Sequence, residues 1–309
     1  MRLDRIIGLD KGIDEQVLAV FLHFQLHNTV ERLVAALRDY RPAVPELAAV
    51  AEQCGFVESG DRRGLEVLIR DERLPYQDVG DFRSKFSKRE ASVCQVRTDD
   101  GLGTGSLVAG DLVLTNHHVV ASHLGPDGKL ARPLVCRFDY KRSAEGYATP
   151  ATDVRVTDIP AWSDHAPEDL LPDGENPSLR LLDYALLRLE RNVASEPIIA
   201  GGEPRGHVEI DRDSLPIARD QGVLILQHPK GKPMKIDLGA VTRVGPTRLR
   251  HSVNTEPGSS GAPVFNASLD LVALHHAGHS DWPEQGLGYN QAIPLEHILA
   301  DAEAQGVEL

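Results

Sequence analysis

From about residue 91 onward, the chain consists of short runs of β-branched and apolar residues separated by Gly, Pro, Asp and Asn. Such runs occupy residues 92–96, 106–108, 112–115, 222–226, 263–265 and 271–274. Many short strands joined by frequent turns are typical of an all-β barrel or sandwich. We interpret the polar stretch 141–181 as a surface excursion and predict a final helix over residues 294–304. The predicted fold class over residues 91–309 is therefore mainly β.

The first 70 residues have a different, helical pattern. Apolar residues recur there at the three- and four-residue spacing of one buried helix face. Examples are Leu18, Phe21, Leu22, Leu26, Val30, Leu33, Val34 and Leu37. We predict a small bundle of three or four helices. Residues 71–90 are charged and interrupted by Pro75 and Gly80, so we predict a linker or a brace between the two regions.

Charge and composition argue against several classes of protein. The chain has 309 residues, with 33 Lys and Arg against 46 Asp and Glu, and a formal net charge of −13. This balance argues against a general nucleic-acid-binding role, which needs a basic surface. No apolar run reaches the roughly 18 residues of a membrane-spanning helix, and the N-terminus lacks the pattern of a secretory signal.

The cysteines favour a reducing compartment. Cys54, Cys94 and Cys136 are odd in number and widely spaced, unlike the paired cysteines of small secreted domains. The sequence contains no CxxC pair of the kind that binds zinc. We expect buried, reduced cysteines and a cytoplasmic protein.

Three short segments carry residues suited to catalysis. In the first, residues 103–108 and 112–116 predict a strand, a turn and a second strand that ends at His117 and His118. A histidine held rigidly at the end of a strand suits a general base, because proton transfer depends on accurate placement. In the second, Asp183 precedes the apolar run 184–189. A buried carboxylate there could orient a histidine, although the same letters could cap a helix.

The third segment is a glycine-rich turn around Ser260. It runs Thr255-Glu256-Pro257-Gly258-Ser259-Ser260-Gly261-Ala262-Pro263-Val264. Glycines allow such a turn to direct successive N–H groups at one point, which makes an oxyanion hole. The alternative interpretation is an ordinary glycine-serine loop.

With its histidine, aspartate and serine in this order, the sequence resembles the trypsin/chymotrypsin-like serine peptidases over about residues 90–295. It is most similar to bacterial, disulfide-free members such as the glutamyl endopeptidases. The resemblance implies a chymotrypsin-like pair of six-stranded antiparallel β-barrels, the second from about residue 200, and a site in the cleft between them. It implies His118, Asp183 and Ser260 as the catalytic triad, and an oxyanion hole formed by the N–H groups of Gly258 and Ser260. Protein or peptide substrates are implied, with no metal or cofactor. Ser259 departs from the aspartate usual in the animal enzymes.

The resemblance also indicates a substrate pocket. Its residues would be Asn254, Thr255, His275 and Gly278. Asn254 falls where trypsin has an aspartate, which disfavours a preference for Lys or Arg. Thr255 and His275 match the threonine and histidine with which glutamyl endopeptidases bind a carboxylate, so we hypothesise an acidic residue on the acyl side of the cut. The alternative is a structural His275 and a pocket for small or polar residues.

Other functions are disfavoured on specific grounds. His275, His276 and His279, with Asp281 nearby, could suggest a metal site, but successive strand residues point to opposite faces. An α/β-hydrolase esterase would need GxSxG and the order Ser-Asp-His. A catalytically silent interaction module on the same fold remains the alternative, although no triad residue is missing.

The helical region carries a second, separate resemblance. It is similar to the effector-associated, death-like adaptor domains that precede trypsin-like modules in bacterial conflict systems. This resemblance implies recruitment to an adaptor or effector protein. The alternative is a helical cap that covers barrel surface.

Overall fold

Residues 77–147, 149–171, 177–199, 201–279 and 288–309 are described by the computed structural model. The first half of this region forms a closed six-stranded barrel. Its strands are β1 (Val93–Arg97), β2 (Leu102–Leu107), β3 (Leu112–Thr115), β4 (Val135–Phe138), β5 (Thr152–Ser163) and β6 (Tyr184–Leu189). They pair antiparallel in the order β1-β2-β3-β6-β5-β4, and β4 closes the barrel on β1. The polar stretch 141–181 is thus not wholly a surface excursion, because it contains β5.

The second half forms another closed barrel. Its strands are β7 (Gly222–Gln227), β8 (Lys235–Val244), β9 (Leu249–His251), β10 (Pro263–Asn266), β11 (Leu271–His279) and β12 (Tyr289–Pro294). They pair in the order β10-β11-β12-β9-β8-β7, again closed and antiparallel. The predicted mainly β fold with two six-stranded antiparallel barrels is confirmed. Closure pairs every strand on both sides, so neither barrel presents an open edge.

Apolar side chains form three buried groups. One fills the first barrel and includes Cys94 and Cys136, which are both free and fully buried as predicted. Another fills the second barrel around Ile225 and Val264. The largest group joins the barrels, with Leu114 from the first and Phe265 from the second. The two barrels are therefore packed against each other through a continuous apolar core.

Helices lie at the ends of the described region and after β3. They are α1 (Val79–Ser92), α2 (His117–Val120) and α3 (Leu295–Ala304). The predicted final helix is confirmed by α3. Within the segment predicted as a linker or brace, α1 contacts the second barrel, because Arg89 Nε donates to the Leu269 carbonyl at 2.8 Å. The predicted helical region 1–70 and Cys54 lie outside the described residues.

In the part of the chain that is described, no helix is long and apolar enough to cross a membrane.

Candidate active site

The pairing of β3 with β6 brings His118 and Asp183 together. His118 lies in α2, which begins directly after β3, and Asp183 immediately precedes β6. Because Thr115 pairs with Ala185, the two residues reach the same end of the barrel. His118 Nδ1 lies 2.7 Å from Asp183 Oδ2, and the His118 main-chain N–H donates to Oδ1 at 3.0 Å. The carboxylate therefore fixes both the ring and the backbone of His118.

Asp183 is a buried and stabilised carboxylate. Its side chain is 1% exposed, and His276 Nδ1 lies 3.2 Å from the same Oδ2 that contacts His118. Burial opposes ionisation, but the hydrogen bonds from His118 and His276 outweigh it and lower the pKa of Asp183 well below its usual value. Asp183 is thus ionised at neutral pH and accepts hydrogen bonds from two imidazole rings.

The ring of His118 is set up to accept a proton. A carboxylate only accepts hydrogen bonds, so Nδ1 carries the ring proton and Nε2 keeps its lone pair. Burial lowers the pKa of His118, but the hydrogen bond and charge of Asp183 outweigh burial and raise that pKa above its usual value. The side chain is 37% exposed, which leaves the ring open to a substrate.

Ser260 lies in a turn held against the first barrel. The Thr104 N–H in β2 donates to the Ser260 carbonyl at 2.8 Å. A Cβ on the neighbouring Gly103 would lie 2.6 Å from Val119 Cγ1 and 3.2 Å from the Ser260 carbonyl oxygen. Ser260 and the α2 residue next to His118 therefore both border Gly103, and the three predicted catalytic residues lie in one region of the molecule.

Two main-chain N–H groups of the same turn have no acceptor in the part of the chain that the structure describes. Other main-chain N–H groups of the turn are hydrogen-bonded. The N–H of Ser259 donates to the Glu256 carbonyl, that of Gly261 to the His275 carbonyl, and that of Ala262 to the Ser259 carbonyl. Among the described residues, no acceptor is found for the N–H groups of Gly258 and Ser260. Gly258 and Gly261 adopt φ values of +99° and +83°, which L side chains rarely adopt. An unpaired N–H on a serine and another two residues before it suit the stabilisation of an oxyanion.

A cavity of about 560 Å³ opens beside Ser260. All four predicted pocket residues, Asn254, Thr255, His275 and Gly278, line it. Its wall also includes His251 and Asn290, which the sequence analysis missed. These two residues lie on β9 and β12, and no local motif marks them.

Hydrogen bonds fix the polar groups of the cavity. The Thr255 hydroxyl donates to Asn290 Oδ1 at 2.9 Å, and Asn290 Nδ2 donates to the Val253 carbonyl at 2.6 Å. A Cβ on Gly278 would lie 2.2 Å from Asn290 Oδ1, so a glycine is required beside this amide. The Asn254 N–H and Nδ2 both donate to Asp237 Oδ2, at 2.8 and 3.0 Å. The cavity residue Asn254 therefore has an anionic partner.

His275 forms a buried pair with His251. The two rings meet edge to face, with His275 Nδ1 3.3 Å from His251 Nε2. Burial, reinforced by His251, lowers the pKa of His275 well below its usual value, and burial lowers the pKa of His251 to about 4. Both rings are neutral at physiological pH in the empty cavity.

His275 and His276 face opposite sides of β11. His275 contacts His251, whereas His276 contacts Asp183. The described residues contain no group of three or more His, Cys, Asp or Glu side chains arranged to hold a metal ion, and Asp281 lies outside them.

Comparison with known proteins gives consistent similarities. Residues 103–274 match the family of trypsin-like peptidase domains. An uncharacterized protein (y4fB) of Sinorhizobium fredii is 31% identical over 263 residues, covering 80% of this chain and 37% of that protein. A probable serine protease of Lysobacter enzymogenes is 25% identical over 306 residues, covering 92% of this chain and 44% of that protein. The chain thus spans less than half the length of either relative.

Two further similarities are more restricted. A glutamyl endopeptidase of Staphylococcus epidermidis is 29% identical over 62 residues, which cover 19% of this chain and 22% of that protein. Among solved structures, a serine endoprotease from Yersinia pestis aligns with a TM-score of 0.48 and 16% identity, covering 75% of this chain and 67% of the other.

Proposed function

The chain belongs to the trypsin-like peptidase family, and on this premise we propose that it is a serine endopeptidase acting through His118, Asp183 and Ser260. One observation carries the proposal. The His118–Asp183 pair, with its 2.7 Å contact, lies beside the Ser260 turn, and that turn presents two unpaired N–H groups. A catalytically silent interaction module would not need this combination of groups.

The reaction follows from these groups. His118 Nε2 takes the proton of the Ser260 hydroxyl as the oxygen attacks the scissile carbonyl. Asp183 stabilises the imidazolium that forms. The N–H groups of Gly258 and Ser260 stabilise the tetrahedral oxyanion, and each such donor contributes about 3–4 kcal/mol. His118 then protonates the leaving amine, and water hydrolyses the acyl-enzyme by the same route.

We further propose that the cavity accepts an acidic side chain on the acyl side of the cut. A protonated His275 ring can bind a carboxylate, and the Thr255 hydroxyl can donate to the same carboxylate once it turns away from Asn290 Oδ1. Two carboxylates of the described residues near the cavity already have partners, because Asp237 accepts hydrogen bonds from Asn254 and Glu256 contacts Lys230 Nζ at 2.6 Å. The alternative is a pocket for small or polar side chains with a structural His275.

The acidic preference is expected to strengthen as the pH falls. His275 is neutral in the empty cavity because burial lowers its pKa, whereas a bound carboxylate would raise that pKa. An acidic substrate would therefore take up a proton on binding. The ratio of kcat/KM for matched Glu and Gln peptides should rise from pH 8 to pH 5.5, by at most about tenfold per pH unit. His118 titrates in both reactions, so its effect cancels in the ratio.

The control for this measurement is His275→Gln, which should give a ratio that does not vary with pH. A flat ratio for the wild type, or a peptide panel with no preference for Glu or Asp, would contradict the acidic pocket.

The peptidase activity itself is tested by digestion of a diverse peptide library, read by mass spectrometry, with and without a serine-directed fluorophosphonate. We expect discrete cuts that the reagent abolishes, together with a covalent adduct on Ser260. Absence of both cuts and adduct would favour the silent interaction module.

The helical pattern of residues 1–70 supports a separate proposal, which is recruitment to an adaptor or effector protein of a bacterial defence system in the cytoplasm. The test is to delete residues 1–70 and measure binding to partners captured with the full chain. Unchanged binding would contradict recruitment through this region.

A further inference from the structure

The peptide between Pro257 and Gly258 carries one of the two proposed oxyanion donors. A peptide unit is planar and trans, so its C=O and N–H point in opposite directions. The direction of the Gly258 N–H is therefore set by whatever holds the Pro257 carbonyl. That carbonyl accepts a 2.6 Å hydrogen bond from the main-chain N–H of Lys230. The Gly258 N–H consequently points away from Lys230.

The donor of this hydrogen bond lies in a turn with an unusual backbone. Pro229–Gly231, which we call the latch turn, follows β7. Lys230 has φ 55° and ψ 25°, in the left-handed region that side-chain-bearing residues seldom adopt. Gln95 Nε2 in β1 donates to the Gly231 carbonyl at 2.7 Å, which ties the turn to the first barrel.

The latch turn and the Ser260 turn are in close contact. A Cβ on Gly258 would lie 2.7 Å from the His228 carbonyl oxygen and 3.0 Å from the Gly231 nitrogen. The His228 N–H donates to the Thr104 hydroxyl at 3.0 Å, and this hydroxyl donates to the Gly258 carbonyl at 2.8 Å. The contact therefore holds both peptides that flank the Gly258 Cα.

The direction of the other proposed oxyanion donor, the Ser260 N–H, does not depend on the latch turn. The peptide that carries the Ser260 N–H has its carbonyl on Ser259, and this carbonyl accepts from the Ala262 N–H at 3.0 Å. That hydrogen bond lies within the Ser260 turn itself. Only the Gly258 donor depends on a residue from a distant part of the chain.

We propose that the latch turn completes the oxyanion hole by orienting its Gly258 donor, with Lys230 as the positioning residue. The left-handed backbone of Lys230 presents its N–H to Pro257, and this holds the Gly258 N–H toward the oxyanion. The inference rests on the proposed peptidase function and adds a residue outside the triad and the pocket.

The Lys230 side chain offers a competing explanation. Its Nζ lies 2.6 Å from Glu256 Oε1, with the two side chains 57% and 48% exposed. Exposed ion pairs are screened by solvent and contribute little. The backbone and the ion pair can be separated by substitution, because the first depends on φ and the second on charge.

The experiment compares Lys230→Val, Lys230→Gly and Lys230→Met with Lys232→Val as a matched control. A β-branched residue disfavours the left-handed region, glycine adopts it freely, and methionine removes only the charge. Lys232 has an ordinary extended backbone (φ −85°, ψ 171°), which valine tolerates. Losing one oxyanion donor lowers kcat by about 10²–10³-fold, so partial loss in Lys230→Val should lower kcat at least about tenfold. The KM of that variant should stay within about threefold, because uniform substrate binding is unchanged.

The other variants show whether the backbone conformation or the charge of residue 230 causes the loss of kcat. Lys230→Gly should recover most of the lost kcat, and Lys230→Met should lose much less kcat than Lys230→Val. Lys232→Val should resemble the wild type. Unchanged kcat in Lys230→Val would overturn the proposal. A loss in Lys230→Met equal to that in Lys230→Val would also overturn it, in favour of the ion pair. Melting temperatures of all variants identify any that fail to fold.

Crystal structures of the wild type and Lys230→Val provide a test that needs no turnover. In the wild type, we expect the Pro257 carbonyl to accept a hydrogen bond from the main-chain N–H of residue 230. In the valine variant, we expect the 257–258 peptide to be rotated. The same orientation of the 257–258 peptide in both structures would contradict the proposed role of the latch turn. If the wild type cleaves no peptide, the proposed function fails, while these structures still decide whether residue 230 sets the peptide.

Discussion

Replacing Ser260 by alanine is expected to lower kcat by about 10⁴-fold or more, since removing a triad member leaves only the oxyanion hole and binding. The substrate KM should change little, because Ser260 contributes its oxygen to bond formation rather than to ground-state binding. The loss should appear with every peptide that the wild type cleaves. Single-turnover assays on the best library substrate measure it directly.

The neighbouring serine provides a matched control for this substitution. Ser259 is fully buried, and its hydroxyl accepts a hydrogen bond from the Glu256 N–H at 3.2 Å. It is therefore not available to attack a substrate. Ser259→Ala should retain the fluorophosphonate adduct on Ser260 and reduce kcat by less than about tenfold, the effect of one lost hydrogen bond. A larger loss in Ser259→Ala than in Ser260→Ala would show that the nucleophile is misassigned.

The double barrel was predictable because its strands are short, apolar and separated by turn residues. The exception is β5, which lies in the polar stretch 141–181. Its buried residues Val154 and Val156 alternate with exposed polar neighbours, whereas the buried Ala161 lies between the half-buried Pro160 and Trp162. Two irregularities in its pairing with β6, between Val156 and Ala161, interrupt that alternation and blur its period in the sequence.

The motifs around the three proposed catalytic residues could be located in the sequence because each one lies at the end or turn of a strand. The residues that support these motifs could not be located from the sequence, since they come from distant strands. His251 reaches His275, and Asn290 reaches Thr255, only because β9, β12 and β11 are neighbours in the second barrel. Strand order in a closed barrel is a property of the whole chain, and no local pattern encodes it.

His276 and Lys230 illustrate two further limits. Strand alternation predicts that His276 points away from His275, but not that it meets Asp183 across the barrel interface. Lys230 and Gly231 both have a positive φ, of 55° and 64°, and the sequence alone would have indicated this only for the glycine. Long-range packing decides both cases.

Asp183→Asn is the second substitution for which we expect a loss of about 10⁴-fold in kcat. The amide nitrogen of asparagine can donate to His118 Nδ1, which would move the ring proton to Nε2. A protonated Nε2 cannot accept the Ser260 proton. The substitution also removes the charge that raises the pKa of His118, so the acidic limb of the residual kcat/KM profile should move to lower pH.

The partner on the other side of Asp183 should have the opposite effect on pH dependence. His276→Leu removes a donor at 3.2 Å from Asp183 Oδ2 and leaves a carboxylate that is less stabilised. A less stabilised carboxylate attracts the His118 proton more strongly, so the pKa of His118 should rise by up to about one unit. The acidic limb of kcat/KM should then move to higher pH, with a much smaller loss of kcat than in Asp183→Asn. Asp183→Asn removes the negative charge beside His118, whereas His276→Leu keeps that charge and makes the carboxylate a stronger base. Shifts of the acidic limb in the same direction in both variants would therefore contradict this account.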